Sequence, residues 1–150
     1  MASEHSQQVI ANTISFVKKE LEGAEGGHDW FHIERVYKNS ILIASEENVD
    51  LLIVSLGALL HDIADSKFHG GDETVGPMKA RKFLETQKIS EEIIIHVIKI
   101  IENISFKGGN KSQKFNSQEL AVVQDADRLD ALGAIGIARA FNYGGFKNRA

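Results

Sequence analysis

The chain contains no cysteine, which excludes a disulfide framework, a thiolate zinc site and a cysteine nucleophile. It has a single proline, so its helices meet almost no obligatory break. A basic excess is missing as well. Its 17 Lys and Arg stand against 21 Asp and Glu, for a net charge of −4 and a pI near 5.9. That argues against a binder of nucleic-acid backbone, while leaving room for a local basic pocket around a small anionic substrate. The longest apolar run, residues 51–60, falls well short of the roughly 20 residues that cross a bilayer, so no membrane association is expected. The opening MASEHSQQ lacks the apolar centre of a signal peptide, which makes the cytoplasm the expected location. Internal repeats, linkers and strand-like alternation are absent too.

What is present fits one soluble all-α domain of 150 residues, 43% hydrophobic and 25% charged, with a core of ordinary size. Apolar spacing predicts about six helices. Ile10, Ile14, Val17 and Leu21 mark the first, over residues 4–22. Asp29 is a plausible N-cap for the second, which reaches about Glu47 with Ile33, Val36, Tyr37, Ile41 and Ala44 on its buried side. Asp50 caps the third, which ends near Asp65, and a fourth carries Met78, Phe83 and Leu84. Ser90 caps the fifth, whose core face is Ile94, Val97, Ile98 and Ile101. A long polar, lysine-bearing loop follows, of the kind that is often functional. The last helix is expected from about Gln118 to Phe141, with an apolar face through Leu132, Ala134, Ile135 and Ala138, and FNYGGFKNRA reads as a terminal loop.

The stretch LLIVSLGALLHDIAD, residues 51–65, organises the rest. An apolar helix belongs in a core, and a charged group is seldom buried there without a partner. His61 and Asp62 at its end therefore call for a shared ligand, and a metal ion serves both. Standing alone, the pair is better read as a core histidine beside a capping or salt-bridged acid. Two more helices shift that balance, because His32 on the second and Asp125 or Asp127 on the last also sit in apolar surroundings. Asp125 and Asp127 are two residues apart, so on a helix only one can be a direct ligand. Two imidazoles and two carboxylates suit Mn²⁺, Mg²⁺, Ni²⁺ or Fe²⁺. A six-coordinate ion keeps two positions open for water and a phosphoryl oxygen, as hydrolysis requires.

Asp65 shares a helical face with His61 and Asp62 and is placed to orient or deprotonate the attacking water. Its bland alternative is a solvated acid at a helix end. Lys67, His69 and Lys107 lie in glycine-bearing loops where phosphate oxygens can be held, with Lys67 favoured, while for any one of them a solvated surface charge is the more common explanation. Arg128, Asp130 and Arg139 are candidates for substrate or supporting contacts, and surface ion pairs explain them equally well. His28 and His32 with Asp29 form HDxxH, close to the HExxH protease motif. That reading leaves His61-Asp62 unused and puts His28 at or before the helix start. His96, among isoleucines, reads as a half-buried structural histidine.

Together, His32 in HxxRV, His61-Asp62 and Asp127 in DADRLDA resemble the H…HD…D signature of the HD-domain metal-dependent phosphohydrolases. HDWFHIERV, LLHDIADSKFHGGDE, ISFKGG and VVQDADRLDALGAIGIARAF look like the YpgQ/YedJ-like bacterial subgroup, over residues 25–145. The resemblance implies a helical fold holding one divalent metal, Mn²⁺ foremost, through His32, His61, Asp62 and Asp127. It puts Asp127 rather than Asp125 in the fourth position and Asp65 at the usual catalytic acid. It also implies hydrolysis of phosphate esters or anhydrides. Nucleoside triphosphate pyrophosphohydrolysis, giving monophosphate and pyrophosphate, is the leading expectation. A nucleotide phosphatase, a cyclic phosphodiesterase, a non-catalytic nucleotide sensor and a metal-free helical interaction domain are the alternatives. Relatives of this kind suggest a homodimer and continue with further helices, so residues 1–150 are read as an HD domain lacking its C-terminal helices.

Overall fold

Five of the helices begin where a short polar side chain takes up an otherwise unpaired backbone N–H. In this computed structural model, which describes residues 3–24, 28–64, 72–105 and 114–148, Ser3 caps α1 (Glu4–Glu20) and Asp29 caps α2 (Trp30–Ala44). Asp50 caps α3 (Leu51–Leu60) by accepting from both Leu52 and Ile53. Helix α4 (Val75–Glu85) has no such cap. Ser90 caps α5 (Glu91–Asn103), and Ser117 caps α6 (Gln118–Leu129). A seventh helix, α7 (Gly133–Phe146), closes the described chain. Among the described residues there is no strand, and no helix is long and apolar enough to cross a membrane.

Helix α3 is the axis of the bundle. All eight residues from Ile53 to Leu60 are buried, as expected of a helix that is apolar on every side. Around it pack α1, α2, α5 and α6, while α4 lies against α5. A Cβ added at Gly57 would stand 3.2 Å from Ile100 Cγ2 and 3.6 Å from Val123 Cγ2, so the missing side chain lets α5 and α6 approach α3. His61 follows directly at the end of this axis, and its position is therefore set by a helix that is buried from Ile53 to Leu60.

Four expectations need correcting. The third helix stops at Leu60, and residues 61–64 continue as turns. The final helix is two: the chain turns at Asp130, and Gly133 takes φ +62° before α7 begins. Glycine enters that left-handed region at little steric cost, which is how the second helix sets off in a new direction. The segment Tyr143–Phe146, expected as loop, is the last turn of α7. The predicted apolar face through Leu132, Ala134, Ile135 and Ala138 does not enter the core, because α7 buries none of its residues.

Candidate metal centre

Three helices deliver three side chains to one point. His32 lies in the first turn of α2, His61 just past the end of α3, and Asp127 in the last turn of α6. Their ligand atoms form a nearly equilateral triangle. His32 Nε2 is 3.3 Å from His61 Nε2 and 3.4 Å from Asp127 Oδ1, and His61 Nε2 is 3.6 Å from the same oxygen. The point equidistant from the three in their plane lies about 2.0 Å from each, the bond length of a small divalent ion to imidazole nitrogen or carboxylate oxygen. Calcium prefers about 2.3–2.6 Å and oxygen ligands, so the donor set fits a smaller ion of the Mn²⁺ to Zn²⁺ series better. Among the described residues, this is the group of His and acidic side chains whose ligand atoms meet within 4.8 Å. Asp62 adds a carboxylate alongside, with its Oδ2 4.0 Å from His32 Nε2.

The ring of His61 is held from behind. Its Nδ1 is 2.8 Å from the Ala58 carbonyl oxygen, which can only accept, so Nδ1 carries the hydrogen and Nε2 is the atom offered to the triangle. Burial works against a charge on His61. The hydrogen bond and negative charge of Asp127, with Asp62 and the Ala58 carbonyl, outweigh it and push the pKa up to about 9. Burial works against the charge on Asp127 as well, but His61 holds its carboxyl below the usual carboxylate range. His32 goes the other way: burial lowers its pKa, and the opposing hydrogen bond to Asp130 does not cancel that. The metal-free site is thus an imidazolium, a neutral imidazole and a carboxylate sharing one small volume. A divalent ion supplies the same neutralisation as the proton it displaces, with charge to spare.

Asp130 is the side chain whose place here sequence reading left open. It is 4% exposed and accepts from Arg35 Nε and Nη2 at 2.6 and 2.9 Å. His32 Nδ1 stands 2.7 Å from its Oδ2, and Arg139 Nη1 lies 3.3 Å from the same oxygen. Burial raises its pKa, but the bonds to His32 and Arg35 hold the carboxyl well below the usual range. Two spacings announce this: His32 and Arg35 are three apart on α2, and Asp127 and Asp130 are three apart at the end of α6. The surface ion pair considered for Asp130 is ruled out by its burial.

The other predicted residues separate. Asp125 is exposed and pairs with Arg128 at 3.7 Å. His28 precedes the Asp29 cap and makes no i, i+4 helical pair with His32; its ring lies 6.5 Å from that of His32 and 5.8 Å from that of Tyr143. His96 is half-buried, bonding the α6 cap Ser117 at 2.9 Å with Glu119 at 3.5 Å. Asp65, Lys67, His69 and Lys107 lie outside the described residues.

Comparison with known proteins agrees with this geometry. The HD domain family matches residues 30–132, a span that contains the three side chains of the triangle together with Asp62 and Asp130. YpgQ of Bacillus subtilis is 40% identical over 136 residues, covering 89% of this chain and 65% of its own length. The crystal structure of YpgQ in complex with ADP superposes with a TM-score of 0.76 at 37% identity, covering 97% of this chain and 70% of that one. An HD-superfamily hydrolase from Bacillus thuringiensis superposes with a TM-score of 0.75 at 45% identity, over 96% and 69% of the two chains. The chain thus spans a little under two thirds of the length of the curated relative.

Proposed function

From the premise that this chain belongs to the HD domain family, whose solved members similar to it include a hydrolase, we propose that it is a divalent-metal-dependent nucleoside triphosphate pyrophosphohydrolase. The observation that carries the reading is the triangle of His32 Nε2, His61 Nε2 and Asp127 Oδ1, with an ion-sized centre. Asp62 is the fourth ligand in this proposal, and Mn²⁺ the preferred ion. The ADP held by YpgQ supports a nucleotide as the substrate class.

When bound, the ion acts as a Lewis acid that makes water acidic enough to attack and polarises a phosphoryl oxygen. The chain's own groups do the rest. Asp65, three residues beyond Asp62, takes a proton from the attacking water. Water adds at the phosphorus nearest the sugar, the bond from that phosphorus to the bridging oxygen breaks, and pyrophosphate leaves. Lys67, with His69, Lys107 and Arg128, neutralises the charge that develops on the leaving group. His32 and His61 keep the reacting end oriented, because both rings are fixed on their far side.

The test is pyrophosphate release from a panel of ribo- and deoxynucleoside triphosphates with Mn²⁺, Mg²⁺ or a chelator. Metal-dependent pyrophosphate release, lost in His32→Ala together with bound metal, is the expected result. Orthophosphate as product would replace the reading with a phosphatase, and an opened cyclic ester with a phosphodiesterase. Nucleotide binding without turnover, unchanged by Asp65→Asn, would make the module a sensor. An active, metal-replete His32→Ala protein would refute the centre itself.

A further inference from the structure

Resting on the metal-centre reading, we propose that Asp130 is a positioning residue for that centre. It fixes His32 with the hydrogen on Nδ1, so that the Nε2 lone pair faces His61 and Asp127. Besides His32, the described side-chain groups on this buried carboxylate are the guanidinium groups of Arg35 and Arg139, which donate and cannot accept. Their charge keeps the carboxylate ionised and therefore acceptor-only. The hydrogen in the 2.7 Å contact between Asp130 Oδ2 and His32 Nδ1 must then sit on the imidazole. A neutral imidazole with Nδ1–H offers a lone pair at Nε2 and nowhere else. The opposite tautomer would set a lone pair against the carboxylate and aim an N–H at the position the ion needs.

His61 obtains the same orientation from the Ala58 carbonyl, a backbone group that no substitution removes. Asp130 is its side-chain counterpart and can be tested directly. It also joins elements far apart in sequence. His32 and Arg35 bring α2 to it, Asp130 itself ends α6, and Arg139 of α7 both reaches its carboxylate and donates to its main-chain oxygen at 3.2 Å. A purely mechanical role would be served by those arginine bonds alone. The His32 bond adds a chemical one.

The experiment measures Mn²⁺ affinity, with the ion as sole probe, in the wild type, Asp130→Asn, Asp130→Ala, His32→Ala and Arg139→Gln. Two-bond ¹H–¹⁵N spectra of the metal-free histidines and thermal melts accompany it. In the wild type, His32 should carry its hydrogen on Nδ1. Asparagine brings an N–H₂ group into a pocket lined by donors, and alanine leaves the ring unheld. Both should lose the fixed His32 pattern and bind Mn²⁺ about 10–100-fold more weakly. Arg139→Gln should lower the melting temperature and leave the His32 hydrogen on Nδ1, since Arg35 still donates twice to the Asp130 carboxylate. If Asp130→Ala does not fold, the isosteric Asn variant carries the comparison. Mn²⁺ affinity lost in His32→Ala yet retained in the Asp130 variants overturns the positioning role alone. A wild-type His32 with its hydrogen on Nε2 does the same. Absence of Mn²⁺ binding in the wild type overturns the metal centre and this role with it.

Discussion

Metal-free protein should lose stability as the pH rises through the alkaline range, and the size of the loss can be worked from His61. Its pKa stands at about 9 in the folded chain and about 6.5 in an unfolded one. A folded-state pKa raised in this way contributes stability that is complete below about pH 6.5 and is lost as the pH climbs through about 9. The displacement corresponds to on the order of 3 kcal/mol, a large share of the 5–15 kcal/mol typical of a domain. The lowered pKa of Asp127 is the other side of the same ion pair and is not added. His32 acts with the opposite sign. Its folded pKa is depressed by burial, so below about pH 6.5 the unfolded chain takes up a proton that the folded one refuses, and stability falls again. The curve should peak near neutrality. Urea midpoints in the presence of a chelator, taken at about pH 5.5, 6.5, 8 and 9.5, would trace it. Asp127→Asn should flatten the alkaline limb while leaving the acid limb in place. A flat alkaline limb in the wild type, or an equal slope in Asp127→Asn, would show that His61 and Asp127 do not form the pair described.

Two further expectations concern the scaffold. Gly57→Val should destabilise by about 2 kcal/mol, because even one added carbon stands 3.2 Å from Ile100 and overpacking outweighs the gain in helix propensity. Gly57→Ala should lie near neutral, and a valine variant with a raised melting temperature would contradict the close approach. Asp50→Ala removes the acceptor for the Leu52 and Ile53 amides at the start of α3. It should lower stability by about 1 kcal/mol in chemical denaturation, and no change would mean that the cap is dispensable.

The parts of the fold that rest on neighbouring residues were legible in the chain alone. Asp29, Asp50 and Ser90 announce helices because a cap and its amide lie within three residues, and α3 announces the core because its run is apolar on every side. The three side chains of the triangle, His32, His61 and Asp127, were legible for a related reason: each is a polar group in an apolar frame. What escaped depends on partners far along the chain. The helix ends at Asp130 where its carboxylate meets Arg35 and His32, 95 and 98 residues away, and the local spacings mark these residues without bringing them together. The apolar spacing of α7 misled because periodicity reports that a face is apolar and says nothing of what covers it.

That last helix carries a consequence for how the centre is held. Leu132, Ile137 and Phe141 are 64%, 61% and 79% exposed, and Gly136, Gly144 and Gly145 sit inside its fourteen residues. A helix this short, with glycines that each weaken it by about 1 kcal/mol, draws little strength from its own backbone. In the described chain its attachments to the body include Arg139 on Asp130 and Tyr143 beside His28. Both lie on the His32 side of the centre. Whatever settles on the oily flank of α7 would tighten the clasp behind His32, and whatever peels that flank away would leave Asp130 with one guanidinium instead of two.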